Sequence, residues 1–166
     1  EAVATALAQM CRPNGAAAAV LAPVAHAKTD VTGFGLAGHL LEILDASGCA
    51  AELQLAAIPS LPGALALAQA GHSSSLAPAN RAATIGRVTI GQQMKADSGA
   101  TALLYDPQTA GGLLAAVPED RAAELVAALR AGGDAAAGAA VAGGRRCRHA
   151  PTGSQPRDPP TGGPVR

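Results

Sequence analysis

The stretch His26-Ala27-Lys28-Thr29-Asp30-Val31-Thr32-Gly33-Phe34-Gly35-Leu36-Ala37-Gly38-His39-Leu40 decides how this chain reads. Pro23 to Thr29 predicts a short buried strand. Gly33-Phe34-Gly35 then opens a helix, with Leu36, Leu40, Ile43 and Leu44 on one stripe and Ser47-Gly48 as its stop. A strand, a glycine turn and a helix in that order place Asp30 at the C-terminal end of the strand, beside free amides at a helix N-terminus. Such amides suit phosphate oxygens, and glycine lets a ligand approach the backbone. A carboxylate there can hold Mg²⁺, but magnesium takes octahedral oxygen coordination, so the other ligands must come from substrate or from another domain. Spacing alone favours a plainer reading, in which Asp30 caps the following helix.

Working upstream, Val3, Leu7 and Met10 recur at helical spacing from the first residue, Glu1. The sequence therefore opens in mid-helix and reads as a fragment beginning inside a longer protein. Arg12-Pro13-Asn14-Gly15 breaks that helix, and a second alanine-rich helical segment runs to about Leu21. Working downstream, Ala51 to Leu55 alternates as a half-exposed strand, and Pro59 to Ala70 predicts a short helix entered at Pro62. Residues 71–100 carry Ser73-Ser74-Ser75, Pro78, Gly86, Gly91 and Gly99 with little periodicity; they predict a mobile loop with one helix near Ile90 to Lys95. Order returns at Thr101 to Tyr105. Asp106-Pro107-Gln108-Thr109-Ala110-Gly111-Gly112 predicts a turn, and Leu113 to Val117 a buried strand. The helix from Pro118 is the clearest in the chain: Glu119 and Asp120 complement its N-terminus, Ala122, Leu125, Val126 and Leu129 form its stripe, and Gly132-Gly133 ends it.

Beyond Gly143 the apolar pattern stops, and five Pro and five Gly fall among the last 24 residues. Residues 1–142 thus read as one domain and 143–166 as a disordered tail. Strands alternating with helices give an α+β (α/β-like) class, with a mixed sheet covered by helices. One Phe, one Tyr and no Trp leave the core to small aliphatic side chains and predict modest stability.

Charge excludes some functions. Residues 1–142 hold 7 basic and 11 acidic side chains, whereas the tail holds five Arg against Asp158. The body is no electrostatic match for nucleic acid. No apolar run reaches the roughly 18 residues of a membrane span. No signal peptide is visible, and Cys11, Cys49 and Cys147 lack metal-ligand spacing, which predicts free thiols and a cytoplasmic location.

Asp106-Pro107-Gln108-Thr109-Ala110-Gly111-Gly112-Leu113-Leu114 is the second chemically loaded stretch. Its bland reading is a tight turn into a strand. Together the two stretches, TDVTGFGLxGHL followed by DPQTxGGLL, resemble the paired signature of selenophosphate synthetases (selenide, water dikinases), relatives of aminoimidazole ribonucleotide synthetase. Met10-Cys11-Arg12-Pro13-Asn14 and Leu61-Pro62-Gly63-Ala64 resemble further family segments, so the likeness covers roughly residues 1–133.

That resemblance implies the C-terminal part of an enzyme making selenophosphate from ATP, selenide and water, with release of AMP and phosphate. It implies Asp30 as a Mg²⁺ ligand and Thr29, Asp30, Gly33 and Gly35 as the nucleotide-facing set. The catalytic nucleophile, an essential Lys and most of the ATP site belong to an N-terminal domain absent here, so no catalytic residue is expected in this chain, which alone should be inactive. The full-length family enzyme is expected to be a homodimer whose contacts lie largely in that domain. Four departures stand out. Lys28 brings a cation near Asp30. Ala110 replaces the family's Ser. Ser73 to Asn80 keeps only Asn80 and Arg81 of a GGTxRN pattern. The family's closing strand is expected to be missing or reduced, because Ala135 to Val141 is mostly Ala and Gly.

Two alternatives remain open. One is a related ATP-dependent enzyme of the hydrogenase-maturation or thiamine-phosphate kinase type, and the other is a non-catalytic module. His39 reads as a packed or capping histidine, His26 as structural, Cys49 as a small buried hydrophobe, and Glu42, Asp45 and Glu52 as solvated faces.

Overall fold

The computed structural model describes residues 2–91, 98–134, 137–139 and 141–146. Seven helices and four short strands follow in the order α1 (Ala2–Met10), α2 (Gly15–Leu21), β1 (Ala27–Asp30), α3 (Gly35–Ser47), β2 (Cys49–Leu53), α4 (Ala64–Gln69), α5 (Ala77–Ala83), α6 (Gly99–Leu103), β3 (Leu113–Ala116), α7 (Glu119–Ala131) and β4 (Val141–Arg146). The class is α+β, as expected. Among the described residues the strands form two antiparallel pairs rather than one mixed sheet: β1 with β3, and β2 with β4. Helix α3 touches β1, β2 and α5, α2 touches β3 and α7, and α4 lies on α6.

The clearest helices form where the sequence signals agree. α3 stops at Gly48, whose left-handed backbone (φ 61°, ψ 35°) closes the last turn onto Leu44 and Asp45. α7 carries Glu119 and Asp120 in its first turn and Arg130 in its last, and buries Leu125.

Elsewhere the outcome differs from expectation. The first strand begins at Ala27 rather than Pro23, because the amides of Val24 and Ala25 turn back onto the Leu21 carbonyl and prolong the end of α2. It alternates half-buried and exposed positions instead of being buried. Residues 71–100 contain α5 and the start of α6 rather than one loop. Pro78 sits in the first turn of α5, where proline fits a helix. Ser98 caps α6 by accepting the Thr101 amide at 3.3 Å. Ile90 and Gly91 are not helical, and the rest of the expected Ile90–Lys95 helix lies outside the described residues. β4 crosses the expected boundary between residues 142 and 143, so a closing strand is present, paired through its backbone to β2. The remainder of the expected tail, residues 147–166, lies outside the described residues.

The core is thin. Ala37, Leu104 and Tyr105 are buried together, with Leu36, Leu53, Leu55 and Ile58 packed around them. The deepest positions of α3 are Gly35, Ala37 and His39, not the leucine stripe. At Gly35 the reason is close approach: a side chain there would meet the backbone of Leu104 and Tyr105 at the end of α6.

Candidate functional site

Asp30 ends β1, opposite Leu113 of β3. Strand alternation turns Ala27 and Thr29 inward and leaves Lys28 and Asp30 exposed. Among the described residues no donor engages the Asp30 carboxylate. Nor does it cap α3: the cap position is Phe34, four residues on, and no side chain bonds there. The plainer reading of Asp30 as a helix cap is therefore excluded. Thr29 Oγ1 donates to the Asp30 backbone carbonyl at 3.3 Å. Lys28 Nζ donates to the Ala18 carbonyl of α2 at 3.3 Å, so its ammonium is anchored on α2.

The two glycine turns form one unit. The Val31 amide donates to Gly112 (2.9 Å), and the Gln108 amide donates to Thr32 (3.0 Å). Gly111 lies directly beneath the Val31 carbonyl, where a side chain could not fit. Gly35 adopts φ +68°, and a methyl group there would stand 2.9 Å from the Leu104 oxygen and the Tyr105 carbonyl carbon. Its role is close packing between α3 and the end of α6. Two early amides of α3 are also engaged, Gly35 to the Thr32 carbonyl (3.1 Å) and Ala37 to the Leu104 carbonyl (2.9 Å). This corrects the expectation of free amides at that helix end: the end of α6 closes part of the anion site that a bare N-terminus offers. Gly33 is different, since no atom lies within 4 Å of its Cβ direction and it faces open space.

Three residues that the sequence reading left outside the site brace it. Asn80 of α5 donates from Nδ2 to the Gly33 carbonyl (2.9 Å) and the Tyr105 carbonyl (3.0 Å), so one side chain clasps both turns. Arg81, beside it, lies 5.9 Å from the centroid of the Tyr105 ring. Asn14 donates to the Gly111 carbonyl at 3.0 Å. The available signal was the family-like Asn80-Arg81 pair and the Arg-Pro-Asn segment. His39 is buried, as expected for a packed histidine, and contacts Thr32 and Glu42. Glu42 is thus exposed yet engaged, rather than merely solvated.

Two shallow clefts flank the unit. One, about 240 Å³, runs between α3 and α5 past Phe34, Glu42, Asn80 and Arg87. The other, about 290 Å³, is bordered by His72, Ser73, Ser74 and Asp106. Neither is lined by Asp30. Among the described residues no group of three or more His, Cys, Asp or Glu could hold a metal.

A family model described as AIR synthase related protein, C-terminal domain, matches residues 3–148. The chain belongs to this family. The match includes β4 and so extends past the boundary expected at residue 142. Among similar proteins, the "Selenide, water dikinase" of Burkholderia pseudomallei (strain K96243) is 42% identical over 119 residues, covering 72% of this chain and 32% of that protein. The "Selenide, water dikinase" of Pelobacter propionicus is 43% identical over 114 residues (65% and 30%), and that of Shewanella sp. (strain MR-7) is 42% identical over 125 residues (74% and 34%). The resemblance to selenophosphate synthetases drawn from the two glycine turns is borne out by these relatives. This member of the AIR synthase-related family spans about a third of their length. No helix among its described residues is long and apolar enough to cross a membrane.

Proposed function

We propose that this chain supplies the C-terminal part of a cytoplasmic, ATP-dependent selenide phosphotransferase. The reaction converts ATP, selenide and water to selenophosphate, AMP and orthophosphate. The observation that carries the reading is an exposed, unengaged Asp30 carboxylate at a strand end, next to the open face of Gly33 and braced by two interlocked turns. In this reading Asp30 gives one oxygen ligand to a magnesium ion whose other ligands are the nucleotide's phosphates and groups from the part of the relatives that this chain does not span. Magnesium supplies charge neutralisation for phosphoryl transfer. The open backbone at Gly33 admits a phosphate oxygen, while Gly35 keeps the turn packed on Leu104 and Tyr105. The identity of the relatives favours selenide over the acceptors of hydrogenase-maturation or thiamine-phosphate kinase enzymes.

The test is reconstitution. The chain is combined with the N-terminal part of a selenide, water dikinase, and AMP formation is measured with ATP and selenide. AMP above that of the N-terminal part alone is expected. Asp30→Asn should lower it by about 100-fold or more with an unchanged circular dichroism spectrum, since a lost metal ligand costs at least what a lost supporting contact does. Undiminished turnover in Asp30→Asn would remove the metal role.

A further inference from the structure

We propose that His39, held by Glu42, is a positioning residue that sets the turn following Asp30 by acting through the Thr32 hydroxyl. The inference rests on the reading of Asp30 given above. His39 is 7% exposed, and both ring nitrogens are engaged: Nδ1 stands 2.9 Å from Glu42 Oε2, and Nε2 stands 3.1 Å from Thr32 Oγ1. An ionised carboxylate only accepts, so Nδ1 carries the proton toward Glu42. In the neutral ring Nε2 is then the acceptor, and the Thr32 hydroxyl is the donor. The direction of each bond follows from Glu42.

Thr32 is where the two turns meet. Its carbonyl accepts the amides of both Gly35 (3.1 Å) and Gln108 (3.0 Å), and it lies two residues after Asp30. A β-branched side chain has few χ1 states. Fixing its hydroxyl therefore fixes the orientation of the residue whose carbonyl ties the first turn to the second. Phe34 closes the other side of the imidazole, with ring centroids 5.4 Å apart, and lies over Gly38, where any side chain would collide with it. An apolar residue would fill the space of His39 without burying a polar ring. A fully engaged buried polar group instead selects one conformation of its surroundings, and here those surroundings lead to Asp30.

The experiment uses NMR on the 166-residue chain, comparing Thr32→Val, which removes only the hydroxyl, with Thr32→Ser, which keeps it, and His39→Leu with His39→Gln. The first readout is hydrogen exchange at the Gly35 and Gln108 amides. Thr32→Val and His39→Leu should lower protection there by about tenfold or more, which corresponds to a local opening of the turn. Thr32→Ser and His39→Gln should restore most of it. Wild-type protection in Thr32→Val would overturn the inference, and so would a Thr32→Ser variant as unprotected as Thr32→Val. The second readout is Mn²⁺-induced line broadening at residues 30–33, which should weaken several-fold in Thr32→Val. Broadening in the wild-type chain that Asp30→Asn does not reduce would sink the metal reading instead. Exchange thus judges the role of His39, and Mn²⁺ judges the reading beneath it.

Discussion

Two glycines two residues apart in the first turn are required for different reasons, and substitution should separate them. Gly35 has φ +68° and stands against the Leu104 and Tyr105 backbone, so Gly35→Ala meets both left-handed strain and overlap. A loss of about 2–4 kcal/mol is expected by urea unfolding. Gly33 has open space at its Cβ and no positive φ, so Gly33→Ala should cost less than about 1 kcal/mol. If Gly33 is where a phosphate approaches, the same substitution should nonetheless weaken reconstituted turnover. The two residues look alike in the sequence because both lie in one Gly-Phe-Gly run. What separates them is a contact with residues some seventy positions away, which no local pattern records. For the same reason, placing Asp30 at a strand end was legible, whereas the engagement of the α3 amides by Thr32 and Leu104 was not.

Among the elements, α3 and α7 were legible over 13 residues each: α3 from its periodicity and its Gly48 stop, α7 from its periodicity and its terminal charges. α5 and α6 were not, being 7 and 5 residues long, too short for a periodic signal. Pro78, in the first turn of α5, was instead counted among loop-forming residues, and the Ser98 cap of α6 was not singled out. α5 matters because it delivers Asn80 to two carbonyls. Asn80→Asp replaces the shared donor with an acceptor facing both Gly33 and Tyr105. It should destabilise the fold by about 1–3 kcal/mol, read from urea unfolding, with the α3–α6 contact loosening first.

On α7 the bond from Arg121 holds the Glu124 carboxyl below its ordinary value, aided by the charge of the same Arg121. A depressed carboxylate contributes stability above its unfolded pKa and loses that contribution as pH falls through the folded one. Glu124→Gln should therefore shift Tm slightly at pH 7 and not at all once both states are protonated. Solvent screening of this exposed pair keeps the shift below about 2 °C.

For the molecule as a whole, a thin core goes with large exposed apolar side chains. Val3, Leu7 and Met10 are 73%, 56% and 40% exposed along α1, and Leu76 and Ile85 are 55% and 79% exposed. Exposed apolar side chains of this kind promote association where they gather into a patch. The double variant Val3→Lys/Leu7→Glu should leave the unfolding midpoint within about 0.5 kcal/mol of wild type while lowering binding of a hydrophobic dye. A clear loss of stability would mean that α1 contributes to the core. The pairing of β2 with β4 has a consequence in time. Cys49–Leu53 and Val141–Arg146 are joined across about 90 residues of chain, so at about 5–20 residues per second of synthesis β2 waits several seconds for its partner. During that interval its edge is available to any other nascent strand. A ribosome paused anywhere in between would lengthen the exposure, so the yield of folded chain should depend on how evenly the message is translated as well as on the equilibrium the finished protein reaches.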